Sequence, residues 1–174
     1  MDYKQFIADV PDFPKPGILF KDIMPLFANP PAFRSVVYTM ADYWKRDIDG
    51  VVALDARGFL FGAPLALELG IPFAPVRKSG KLPGKVHSID YGLEYGTDKV
   101  DIQENAFPKG SRILIVDDVL ATGGTAKAAA ELVERIGCRV AGFAFLIELA
   151  DLGGREKISA YHIQSLVTYE SVPA

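Results

Sequence analysis

Uninterrupted apolar runs alternate along this chain with stretches in which apolar residues recur every three or four positions, and the two patterns separate buried strands from amphipathic helices. Residues 50–55, 113–116 and 140–148 are short apolar runs of the kind buried on both faces of a parallel sheet. Residues 71–76, interrupted by Pro72 and Pro75, suit a strand at an edge or an end, and residues 164–170 a last strand. Asn29, Pro30 and Pro31 open a helix whose core stripe is Phe33, Val36, Val37, Met40 and Trp44. Residues 59–69, closed by Gly70, and residues 126–135 predict two more helices. From 79 to 104 polarity alternates residue by residue among glycines, which predicts a long loop and a twisted two-stranded hairpin apart from the central sheet, a lid or contact arm. Residues 11–31 are rich in proline, which denies a helix and predicts an irregular, extended path. That segment carries Ile18, Leu19, Phe20 and Ile23, which must be buried against the domain or over a ligand. Alternating strands and helices give an α/β fold: a parallel-centred twisted sheet flanked by helices, one domain over residues 1–174 with an arm at about 1–30 and a lid at about 79–104.

Composition narrows the function classes. A chain of 174 residues, 49% hydrophobic and 24% charged, can bury a substantial core. Its net charge of −3 recruits neither nucleic acid nor an anionic membrane, so an anionic substrate must be captured locally. The first residues lack the basic and apolar regions of a signal peptide, and no run is long enough to span a bilayer, so a cytoplasmic protein is expected. Cys138, the single cysteine, makes no internal disulfide and reads as packing; with two distant histidines no zinc constellation arises.

The chemistry concentrates at residues 113–125. An apolar strand runs into Asp117 and Asp118, and Ala121, Thr122, Gly123, Gly124 and Thr125 then turn the chain into a helix. At such a strand-to-helix turn successive amides and the positive end of the helix dipole converge on a concavity that fits a phosphate. The turn is not a Walker A loop, because no Gly-Lys-Ser/Thr follows. Two acids beside a phosphate cradle make sense if their oxygens accept from the hydroxyls of a sugar carrying that phosphate, which implies a ribose 5-phosphate. Residues 55–58 repeat the strand, loop, helix logic and place Arg57 at a helix amino terminus, where a guanidinium serves an anion or forms a surface salt bridge. The next strand delivers Arg77 and Lys78.

The acidic pair followed by Ala-Thr-Gly-Gly-Thr resembles the phosphoribosyl-pyrophosphate (PRPP) motif of the type I phosphoribosyltransferases. Residues 13–23, 55–62, 77–84, 93–96 and 154–157 extend the likeness over nearly the whole chain and in the same order, and they resemble the adenine phosphoribosyltransferases within that group. Lys21 stands where many members carry arginine. The resemblance implies transfer of the phosphoribosyl group of PRPP to N9 of adenine, giving AMP and pyrophosphate, with Mg²⁺ held mainly by PRPP and water rather than by protein ligands. It implies that Ala56, Arg57, Arg77, Lys78 and Lys81 serve the pyrophosphate, that Asp117, Asp118 and residues 121–125 serve the ribose 5-phosphate, and that Glu94 on the lid is the acid/base. The backbone around Leu19 and Lys21 would read adenine, with Phe20 stacking on it and Leu149 on the opposite wall. A homodimer with Arg77 near the partner's site, and a cis peptide between Asp55 and Ala56, are also implied. Against the same scaffold acting on guanine or xanthine stands the amino-terminal arm, and a PRPP-sensing regulator needs an output module for which 174 residues leave no room.

Overall fold

The computed structural model describes residues 1–92 and 97–170. A 3-10 turn at Tyr3–Phe6 leads into β1 (Ala8–Pro11) and β2 (Leu19–Asp22), followed by the short helix α1 (Met24–Phe27) and α2 (Pro30–Trp44). Then come β3 (Gly50–Leu54), α3 (Phe59–Leu69), β4 (Phe73–Lys78), β5 (Val86–Gly92) and β6 (Thr97–Gln103). The last part holds β7 (Arg112–Leu120), α4 (Gly124–Arg135), β8 (Arg139–Leu149), α5 (Gly154–Lys157) and β9 (Ile163–Tyr169).

Seven strands form one sheet in the order β5-β6-β4-β3-β7-β8-β9. The five from β4 to β9 are parallel, joined by helices that cover both faces. Side-chain alternation along β7 divides the core: Ile113 and Ile115 pack with Ala129, Leu132 and Val133 of α4, whereas Leu114 and Val116 pack with Met40 of α2 and Phe61 and Leu65 of α3. All five residues of β3 are buried, as their apolar run requires. Asn29 caps α2 by accepting from the Ala32 amide at 3.0 Å, just ahead of the two prolines that open the helix.

Three expectations are corrected. The hairpin β5-β6 does not stand apart: Arg77 pairs with Asp101 and Lys78 with Val100, so β6 continues the sheet antiparallel to β4. That edge of β4 is open beyond Pro75, and a strand of alternating polarity closes it. The proline-rich segment is not wholly irregular, because β1 and β2 form an antiparallel ribbon from Ala8↔Asp22 to Pro11↔Leu19. Its prolines fall at the ribbon's end and in the connecting loop, where a missing N–H breaks no ladder. Within it Ile23 is fully buried, whereas Ile18 and Leu19 remain 44% and 51% exposed. Finally, β7 does not end before its acids but runs on through them to Leu120, held by β8 alone.

Candidate active site

The site follows from a step in the sheet. Pairing between β3 and β7 ends at Ala53↔Val116, while pairing between β7 and β8 continues to Leu120↔Glu148. Residues 117–120 therefore present an unpaired edge on the β3 side, and the chain leaving β3 turns away through Asp55, Ala56 and Arg57. A cleft of about 560 Å³ opens there, lined by Ile18, Leu19, Phe20, Lys21, Asp55, Ala56, Arg57, Asp117, Asp118, Val119, Ala121 and Leu149. The amino-terminal ribbon forms one wall and the carboxyl ends of three parallel strands form the floor, where ligands of open α/β sheets bind. The Asp55–Ala56 peptide is cis, as the resemblance implies.

The acids differ. Asp118 is buried, and its Oδ2 makes no aligned hydrogen bond although Arg57 Nε lies 2.8 Å away. Asp117 accepts the Asp118 amide at 2.8 Å. Burial, and then the neighbouring Asp118 charge, push the Asp117 carboxyl well above its ordinary range. The Arg57 guanidinium also lies over the Phe20 ring, 5.0 Å from its centroid, and Phe20 meets Phe13 edge-on at 5.1 Å. Lys21 pairs with Asp9 and lies 4.0 Å over the Tyr169 ring, which ties the ribbon to β9.

A second, smaller hollow of about 80 Å³ adjoins the cleft and shares Asp117, Val119 and Ala121 with it; Thr122, Gly123, Gly124 and Thr125 complete the rim at the start of α4. That is far below the ~300–1,000 Å³ of a whole-ligand site and suits one oxyanion at the end of a larger molecule. The structure thus brings together Leu19, Phe20, Lys21, Ala56, Arg57, Asp117, Asp118, residues 121–125 and Leu149. It does not place Arg77, Lys78 or Lys81 in the lining of either hollow. Arg77 donates from Nε to Asp55 at 2.9 Å, and Lys78 pairs with Asp98 at 3.1 Å. Glu94 lies outside the described residues. Ile18, expected to pack against the domain or over a ligand, lines the cleft; sequence reasoning missed Val119 as lining and Asp55 as the partner of Arg77, for which periodicity carries no signal. A larger groove of about 850 Å³ runs along α2, but Asp42 is the one acid in its lining and no glycine-bearing turn borders it.

Comparison with known proteins agrees with this arrangement. Residues 30–172 match the phosphoribosyl transferase domain family, and the match begins where the ribbon and α1 end. The adenine phosphoribosyltransferase of Acaryochloris marina is 54% identical over 170 residues, covering 97% of this chain and all of that protein. The chain belongs to the adenine phosphoribosyltransferase family. Among solved structures, the adenine phosphoribosyltransferase of Thermoanaerobacter pseudethanolicus superposes with a TM-score of 0.93 at 48% identity, over 97% of this chain and 98% of that one. The Saccharomyces cerevisiae family member, solved with an imino-altritol bisphosphate and adenine, gives 0.91 at 44% identity over 95% and 96%.

Proposed function

We propose that this chain transfers the 5-phosphoribosyl group of PRPP to N9 of adenine, releasing AMP and pyrophosphate. One observation carries the reading: a single cleft presents, in order, the apolar ribbon wall, the Asp117–Asp118 pair and the 121–125 hollow. These match the base, ribose and 5′-phosphate of AMP. Phe20 and Leu149 hold the base between them, and backbone groups at Leu19 and Lys21 read its edge. A pocket that accepts from N6 and donates to N1 leaves groups unpaired against a 6-oxopurine, which selects adenine.

The carboxyls of Asp117 and Asp118 accept from the ribose hydroxyls and face the positive charge that develops at C1 as the pyrophosphate leaves. The amides of residues 122–125 hold the 5′-phosphate. Arg57, on the opposite rim, takes the pyrophosphate charge, and Ala56 offers backbone to it. Arg77, Lys78 and Lys81 would serve pyrophosphate from outside the lining, across a homodimer interface. Glu94, which falls between β5 and β6 in the sequence, handles the proton of the purine imidazole, and closure of that arm would exclude water from PRPP. Magnesium neutralises the leaving pyrophosphate when bound. On this reading the ion is held mainly by PRPP and water rather than by protein ligands. Among the described residues no helix is long and apolar enough to cross a membrane, and the reading places the enzyme in the cytoplasm, in purine salvage.

The test is AMP formation from PRPP, Mg²⁺ and adenine, with hypoxanthine and guanine in parallel. Turnover of adenine alone is expected. Equal or faster turnover of a 6-oxopurine overturns the base assignment.

A further inference from the structure

The segment 153–157 lies outside both hollows, yet its backbone touches the phosphate turn. A Cβ built on Gly154 would stand 2.2 Å from the Ala121 carbonyl oxygen and 3.0 Å from the Gly123 nitrogen. A Cβ on Gly123, whose φ is 79°, would meet the Gly154 carbonyl oxygen at 2.7 Å and its Cα at 3.0 Å. The two turns therefore lie backbone against backbone, an approach open only to glycine on both sides.

What holds the second turn there is an ion pair. Helix α5 has four residues, too few to hold its own shape in water. Its Arg155 forks onto Glu148, with Nε donating to Oε1 at 2.7 Å and Nη2 to Oε2. Ser165 of β9 donates to the same Oε2 at 2.6 Å, and Glu148 is 4% exposed. In the sheet Glu148 stands beside Leu120, the last residue of β7 before the phosphate turn. The fork from Arg155 holds the Glu148 carboxyl below its ordinary range. Just beyond α5, Ile158 is buried in the core, so the segment is fixed at both ends.

We infer that Glu148 and Arg155 are positioning residues for phosphate binding: they clamp Gly154 against residues 121–123 and so set the shape of the turn that receives the 5′-phosphate. The inference rests on the phosphate assignment made above. Neither side chain lines either hollow, so neither touches the ligand directly. A shift of about 1 Å in a binding turn costs on the order of 10²-fold, and such a shift is what release of the clamp permits.

The experiment measures dissociation constants for ribose 5-phosphate and for adenine by calorimetry, in wild type and in Gly154→Ala, Arg155→Ala, Arg155→Lys and Glu148→Gln, with thermal melts alongside. Shifts of the Gly123 and Gly124 amide resonances on adding ribose 5-phosphate report where the phosphate binds in wild type. Expected are roughly 10–100-fold weaker ribose 5-phosphate binding in Gly154→Ala and Arg155→Ala, adenine affinity within about twofold, and partial recovery in Arg155→Lys. If Arg155→Ala does not fold, Gly154→Ala and Glu148→Gln carry the comparison. Equal losses for both ligands, or unchanged ribose 5-phosphate binding, overturn the clamp. Absence of amide shifts in wild type instead overturns the phosphate assignment beneath it.

Discussion

Arg57 and Asp118 stand Nε to Oδ2 at 2.8 Å, so a cation of the cleft and its most buried acid are paired with one another. Incoming pyrophosphate competes for the guanidinium, and a ribose hydroxyl can take its place at the carboxylate. Recognition of two parts of PRPP is thus coupled through one contact. Replacing Arg57 by alanine is expected to lower turnover by about 10²–10³-fold, the usual loss for one preorganised donor at a developing negative charge. Steady-state kinetics with PRPP varied reads it; a fall confined to adenine affinity would move Arg57 out of the pyrophosphate subsite.

Asp118→Asn keeps the shape of the side chain and removes the charge. Each charge-assisted hydrogen bond lost to a ribose hydroxyl is worth about 1.5–3 kcal/mol, so PRPP affinity should fall by roughly 10–150-fold. Adenine binding in the absence of PRPP should not change. Calorimetric titration with each ligand separates the two.

Asp117 makes a prediction with a definite sign. Desolvation at the half-buried strand end, and then the neighbouring Asp118 charge, hold its carboxyl well above the ordinary carboxylate range in the folded protein. Between the unfolded and folded pKa the native state binds more protons than the unfolded one, so stability falls as pH rises through that window. Asp117→Asn removes the penalty and should melt higher than wild type at pH ~7, at ~2–4 °C per kcal/mol gained. The gain should vanish as pH falls towards ~4. A melting difference independent of pH would show that the Asp117 charge plays no part in it. The same variant should bind PRPP less well, a stability gain set against function.

Phe20 carries the base-stacking wall, with Phe13 behind it and the Arg57 guanidinium over its ring. Stacking of a base on an aromatic side chain is worth ~1–3 kcal/mol. Phe20→Leu should therefore raise the adenine dissociation constant by roughly 5–150-fold while leaving ribose 5-phosphate binding near wild type. Loss of both together would point to collapse of the ribbon rather than to stacking.

Glu94→Gln tests the proton-transfer role. Turnover should drop by about 10²–10⁴-fold with adenine affinity little altered. A change in binding alone would leave Glu94 a surface charge.

The strands that carry the site were legible because burial on both faces leaves an unbroken apolar signature at residues 50–54 and 113–116. Asp117, Asp118 and the glycine-bearing turn could be read for a related reason: their chemistry is local, contained in consecutive residues. What escaped depends on partners distant in sequence. No pattern in residues 97–103 tells that Asp101 pairs beside Arg77, and nothing around Glu148 announces Arg155 as its partner. The extension of β7 through its acids was hidden because charged residues read as a strand's end, whereas the neighbouring β8 supplies the ladder that carries the strand onward. Lys78 looked free for an anion and is paired with Asp98 of the neighbouring β6.

The four residues by which β7 outruns its pairing with β3, 117 to 120, act as a ruler. At ~3.3 Å per residue they fix the distance from the sugar-binding acids to the phosphate turn. Because successive side chains point to opposite faces, Asp117 and Asp118 stand on opposite sides of β7, and adding or removing one residue ahead of them would change that length and also exchange the sides on which the two acids stand. A substitution in the overhang disturbs one contact at a time, whereas a single insertion or deletion shifts sugar and phosphate recognition together. Chain length is thus a quantity this stretch must preserve alongside its two acids.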